Sequence, residues 1–231
     1  MKKQRVDYSG FSLRRLNEPR FSHVKLLAGW VAYFALYFLT ENLIPLEKCH
    51  VIHGFLDDMI PFNEVFVIFY VGWFLLVAGS LVYTFFYDVE NFKRLQIYLM
   101  ITQALAMLCY IVYPSVQDLR PAVFPRQNFF TWILGIIYSF DTPTGVCPSL
   151  HVAYSLGILS VALKDKDLSG WLKAALSLFV LMVCLAVCFV KQHSALDVLV
   201  ALPVCLLAEI LVYGKDYWRE KLTGKKKTPS V

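Results

Sequence analysis

A chain of 231 residues that is 58% hydrophobic and 17% charged differs from ordinary soluble domains, in which about 25% of residues are charged. That composition excludes a typical soluble globular protein and points to an integral membrane protein, and the length suits one compact helical bundle rather than several domains. The formal net charge of +5 gathers at the two ends of the chain, against apolar runs, which favours anionic lipid headgroups as neighbours and argues against nucleic acid.

Residues 1–25 are polar and basic, with Lys2, Lys3, Arg5, Arg14, Arg15, Arg20 and Lys25, and do not resemble a cleaved signal peptide. Six apolar runs follow, at about Leu26–Ile44, Val65–Tyr87, Leu95–Tyr113, Ser149–Leu163, Trp171–Val190 and Ala195–Tyr213. Crossing roughly 30 Å of hydrocarbon takes about 20 apolar residues in a helix, so the fourth run suffices only if Ser149 and His151 join its first turn. The expected fold is all-α, a polytopic membrane bundle of about six transmembrane helices spanning residues 26–214, followed by a basic tail, 215–231. Residues 1–20 and 222–231 are expected to be loosely ordered.

Between the third and fourth runs, Phe129–Phe140 is apolar and aromatic but too short to span. It reads either as an interfacial or re-entrant helix over one face or as a half-buried loop. Lys and Arg are denser at the termini and in the loops on their side, which puts both termini in the cytoplasm. An even number of spans then gathers Arg120, Arg126, His151, Lys191 and His193 on the opposite, outer face.

Cys109, Cys184, Cys188 and Cys205 fall within apolar runs and read as core residues, whereas Cys49 and Cys147 lie in outer loops and could pair in an oxidising compartment. In the first outer loop, His50 and His53 with Asp57 and Asp58 form either a metal-binding group or, in the blander reading, a solvated loop packed on the active face.

The chemistry concentrates in two polar motifs, Cys147-Pro148-Ser149-Leu150-His151 and Lys191-Gln192-His193-Ser194-Ala195-Leu196-Asp197. Ionisable groups at membrane depth are costly and call for a function. His193 and Asp197, four apart, share a helix face; a carboxylate on one imidazole nitrogen leaves the other free to attack. His151 sits where a helix N-terminus favours an anion, beside the Ser149 hydroxyl, and could act as a general acid. Arg120 offers a planar fork for phosphate oxygens. The blander readings are a polar helix start for His193 and Asp197, an interfacial histidine for His151, and headgroup contact for the cations.

The order Arg120-Pro121, then Pro148-Ser149-Leu150-His151, then His193 with Asp197 resembles the type 2 phosphatidic acid phosphatase (PAP2) superfamily, over roughly residues 110–200. Its motifs are K-x6-R-P, P-S-G-H and S-R-x5-H-x3-D. The chain departs from them at Tyr113 (for Lys), Leu150 (for Gly) and Ala186-Val187 (for Ser-Arg), so two phosphate-binding cations are missing; Lys191 and Arg126 are candidates to replace them. The resemblance implies a membrane lipid phosphatase, with His193 as nucleophile, Asp197 orienting it and His151 as acid and base. It also implies phosphate-binding by Arg120, Ser149 and the backbone at Leu150, with neither metal nor cofactor, on a lipid phosphate or diphosphate at the outer surface of the cell membrane. Two alternatives stand beside it: a phosphotransferase similar to inositol phosphorylceramide or sphingomyelin synthases, which use an alcohol as acceptor, and a catalytically silent lipid-binding or transport protein.

Overall fold

The computed structural model describes residues 5–223; Lys2, Lys3, Lys225, Lys226 and Lys227 lie outside them. After a 3-10 turn at Ser22–Leu27 come α1 (Ala28–Leu43), the two-residue strand β1 (His50–Val51) and the short α2 (Phe55–Met59). Next are α3 (Val67–Tyr87), α4 (Val89–Val112), β2 (Ser115–Val116), α5 (Phe129–Phe140) and α6 (Leu150–Lys164). The chain ends in α7 (Gly170–Phe189), α8 (Ala195–Tyr213) and, after a π-helical turn, α9 (Arg219–Thr223).

Among the described residues, five helical stretches, 22–43, 64–87, 89–112, 170–189 and 195–223, are long and apolar enough to cross a membrane. The expected fourth span is the exception. Its helix, α6, has 15 residues and at 1.5 Å per residue is about 22 Å long. It packs against α3, α4, α7 and α8. Gly157 permits the close approach to α4: a Cβ there would stand 2.6 Å from the Tyr98 ring.

Three boundaries differ from expectation. Helix α4 starts at Val89 rather than near Leu95, because the Asp88 side chain accepts from the Asn91 amide (3.1 Å) and Arg94 pairs with Glu90 one turn away (3.2 Å). Part of the N-terminal segment is packed rather than loose: Tyr8 stacks on Phe85 (5.2 Å) and donates to its carbonyl (2.9 Å). At the other end, helix continues to Thr223, where Trp218 donates to Glu209 (2.6 Å).

Segment 129–140 is a helix rather than a loop. Asn128 caps it, accepting from the Phe130 and Thr131 amides (2.9 and 3.0 Å), and Leu134 is buried. The connection between α1 and α3 and the segment after α4 are tied by β1 and β2, which pair in parallel, His50 with Ser115 and Val51 with Val116.

Candidate active site

The loop from α7 to α8 builds the site. Helix α7 stops at Phe189; Lys191 takes a left-handed conformation (φ 55°), and the amides of Gln192 and His193 both donate to the Val187 carbonyl (3.0 Å each). Ser194 then caps α8, accepting from the Leu196 amide (3.1 Å), while Asp197 Oδ2 reaches back to the Ser194 amide (3.0 Å). This S-x-x-D arrangement is a capping box. The same Asp197 oxygen lies 3.2 Å from His193 Nδ1, so one carboxylate starts the helix and holds the histidine.

His193 Nδ1 also meets the Val146 carbonyl (3.1 Å). A carbonyl only accepts, so Nδ1 carries the proton and Nε2 presents its lone pair. That lone pair faces His151 Nδ1 at 3.3 Å, which is therefore the donor. His151 is the second residue of α6, and its ring stacks on Tyr70 (4.5 Å) and Trp73 (4.1 Å). The two motifs also join through backbone, since the Ser149 amide donates to the Asp197 carbonyl (3.1 Å). Tyr110 supports the loop by donating to the Pro148 carbonyl (2.7 Å), and Ser115 Oγ accepts from the amides of Val146 and Cys147 (3.2 and 3.1 Å).

Both histidines line a cavity of about 470 Å³, within the range of small-molecule sites. Its long arm is apolar, with Trp30 and Phe34 of α1 facing Trp73, Phe74, Val77 and Leu81 of α3. Its polar end holds Asp141, Thr142, Thr144 and Gln192 beside the imidazoles. Burial raises the Asp141 carboxyl above its ordinary value, against the pull of His193 and Arg120.

The remaining predicted residues fall into three groups. Leu150 lines the cavity, while Ser149 is buried behind it, its hydroxyl without a hydrogen-bond partner among the described residues. Arg120 stands one residue back: its guanidinium grips Gln192 Oε1 (3.0 and 2.5 Å), donates to the Asp141 carbonyl (2.9 Å) and lies over the Tyr138 ring (4.6 Å). Lys191 and Arg126 are engaged elsewhere. Lys191 Nζ donates to the carbonyls of Asp57 and Ile60 (2.9 and 2.6 Å), and Arg126, with a side chain 61% exposed, forks onto Glu64 (2.7 Å twice).

Three participants have roles that the sequence reading did not assign. Asp57 is only 3% exposed; it accepts from Ser194 Oγ (2.5 Å) and from the amides of Ala195 and Gly54 (2.8 Å each), pinning the connection between α1 and α3 to the start of α8. Gln192 joins Arg120 to Asp141, donating to the Asp141 carboxylate (3.1 Å), to which Tyr70 also donates (3.3 Å). Only an acidic pair in a polar loop hinted at Asp57, and nothing local distinguished Gln192 or Asp141.

Among the described residues, no group of three or more His, Cys, Asp or Glu side chains is placed to hold a metal ion. His50 stacks on Tyr113 (4.0 Å), while His53 bridges Asp58 and Asp118 (2.9 and 2.8 Å), which together raise it above the ordinary imidazole value. Cys49 and Cys147 are free thiols, and burial pushes Cys147 up to about 12. Comparisons with protein-family models, with curated proteins and with solved structures return no match.

Proposed function

We propose that this is a membrane enzyme that breaks the phosphate ester of a lipid through a phosphohistidine on His193. One observation carries the reading: His193 is held at Nδ1 by Asp197 and the Val146 carbonyl and presents Nε2 to His151, where an apolar arm meets a polar pocket. The order of motifs that resembles the PAP2 superfamily supports the same assignment.

In the first half-reaction His193 Nε2 attacks phosphorus as the bond to the lipid oxygen breaks, and that oxygen takes the proton from His151 Nδ1. Asp197 and the Val146 carbonyl stabilise the positive imidazole through Nδ1–H. In the second, His151 Nδ1 removes a proton from water or an alcohol, which attacks phosphorus and returns the bond electrons to Nε2. The 3.3 Å contact between the rings opens to admit the phosphoryl group and its leaving oxygen. Free N–H groups in the first turn of α6 face the same region and suit phosphoryl oxygens, while Arg120 acts through Gln192. The lipid tail occupies the apolar arm. We place this end of the bundle outside the membrane, because the basic termini belong to the other end.

Mass spectrometry of the full chain, quenched during turnover of a lipid phosphate, tests the reading. A phosphoryl group on His193 is expected, and His193→Ala lowers turnover at least about 100-fold. Full activity in His193→Ala would refute the assignment.

A further inference from the structure

We propose that the donor this site accepts is a phosphodiester of a lipid alcohol, with a single negative charge, in preference to a phosphomonoester or diphosphate. The inference rests on the phosphohistidine reading and narrows its substrate.

Charge is the first argument. Among the described residues, no lysine or arginine lines the cavity. Lys191 is bound to two backbone carbonyls and Arg126 to Glu64. Arg120 stands behind Gln192 and is matched by Asp141, whose carboxylate faces the cavity. His193 Nδ1–H is directed at the Val146 carbonyl and the Asp197 carboxylate, so Asp197 offsets any charge on this imidazole. The imidazole pair, in contact at 3.3 Å, is therefore the one place from which a positive charge can touch the phosphoryl group, and it supplies one at most. It balances a monoanion; a dianion would leave an uncompensated charge next to Asp141 and Asp197 in a desolvated pocket.

Shape is the second. A monoester has one substituent, whereas the cavity lining has two parts, apolar side chains of α1 and α3 and a polar set beside the imidazoles. The polar part is rich in acceptors: Thr142 and Thr144 both donate their hydroxyl protons to Glu41 and meet each other at 2.9 Å, so neither has a proton left for a ligand, and Asp141 lines the same cavity. Such a pocket suits a head group with hydroxyl or ammonium hydrogens. The step is the one already balanced: the N–P bond forms as the lipid P–O bond breaks, His151 protonates the lipid oxygen, and the head group stays on phosphorus until the acceptor replaces His193.

The test uses purified full chain in detergent micelles, with dioleoyl lipids that share one leaving group: phosphatidic acid, phosphatidylglycerol, phosphatidylethanolamine and phosphatidylcholine. Dioleoylglycerol release is measured with water alone and with a long-chain alcohol present, and farnesyl diphosphate is followed by phosphate release. At pH 8 a diester is expected to exceed phosphatidic acid in kcat/KM, with choline, which lacks N–H donors, the poorest head group. In the ratio of the two kcat/KM values, enzyme titrations that act equally on both substrates cancel, leaving the substrate's second ionisation near pKa 6. The phosphatidic acid to diester ratio should thus rise about 90-fold from pH 8 to pH 5, as the dianion becomes a monoanion. Asp141→Asn should raise that ratio at pH 8 at least tenfold. A ratio flat with pH, or faster turnover of phosphatidic acid or farnesyl diphosphate at pH 8, overturns the diester inference and leaves the His193 chemistry standing. No turnover of any lipid and no phosphoenzyme overturns both.

Discussion

At the scale of single residues, two carboxylates do different work at the same helix start. Asp197 touches the histidine, whereas Asp57 touches only the backbone and hydroxyl around it. Removing Asp57 strands the Ala195 and Gly54 amides and the Ser194 hydroxyl in a buried place, where each unsatisfied donor costs about 1–3 kcal/mol. Asp57→Ala should therefore lower stability by at least about 2 kcal/mol in detergent-melt measurements. Asp57→Asn, which keeps one acceptor oxygen, should fall between wild type and Asp57→Ala; equal melting of all three would show that the clasp contributes nothing. Lys191 belongs to the same clasp. The sequence suggested it as a phosphate ligand, but its ammonium group holds two carbonyls of the connection between α1 and α3.

Among the elements, α6 carries the most consequence. It is shorter than the helices long enough to cross a membrane, yet it sits between four of them and places His151 in its first turn. Its fit to α4 depends on Gly157. Adding a methyl group there would put Cβ 2.6 Å from the buried Tyr98 ring, whose hydroxyl donates to the Cys205 carbonyl (3.2 Å) and so cannot simply swing away. Overpacking of this kind typically costs 1–3 kcal/mol, so Gly157→Ala should reduce thermal stability by about that amount. A matched Tyr98→Phe change in the same background should recover part of the loss by freeing the ring; absence of any loss in Gly157→Ala would contradict the packing described. At the far end of α6, Lys164 pairs with Glu209 (2.6 Å) and lies over the Tyr213 ring (4.2 Å), joining α6 to α8 away from the histidines.

For the whole molecule, helix continuity sets the site and the terminal segments at opposite ends of the bundle. His151 and His193 stand at the N-terminal ends of α6 and α8, whereas Tyr8 packs at the C-terminal end of α3 and Trp218 follows α8. Single cysteines at Phe55, 75% exposed in the site-end loop, and at Ser9, near the other end, should therefore react with a membrane-impermeant maleimide from opposite sides. Under the proposed orientation Phe55→Cys labels in intact cells and Ser9→Cys only after lysis. Labelling of both from one side would break the arrangement.

What the amino-acid order determined by itself was the material and its coarse layout: an all-α bundle of apolar helices and two histidine motifs placed together at one end, with segment 129–140 left open between helix and loop. Those features follow from hydropathy, helix length and capping residues, which act within a few neighbours along the chain. Which polar groups meet was decided only by packing. Lys191 finds carbonyls 131 and 134 positions away, Asp57 reaches Ser194 and Ala195 over 137 and 138, and Arg120 reaches Gln192 over 72. A cation near the end of an apolar run has the same local pattern whether it grips a phosphate or a backbone carbonyl. The difference lies in which acceptor the folded helices bring within 3 Å, because a buried charge takes whatever partner removes its desolvation penalty.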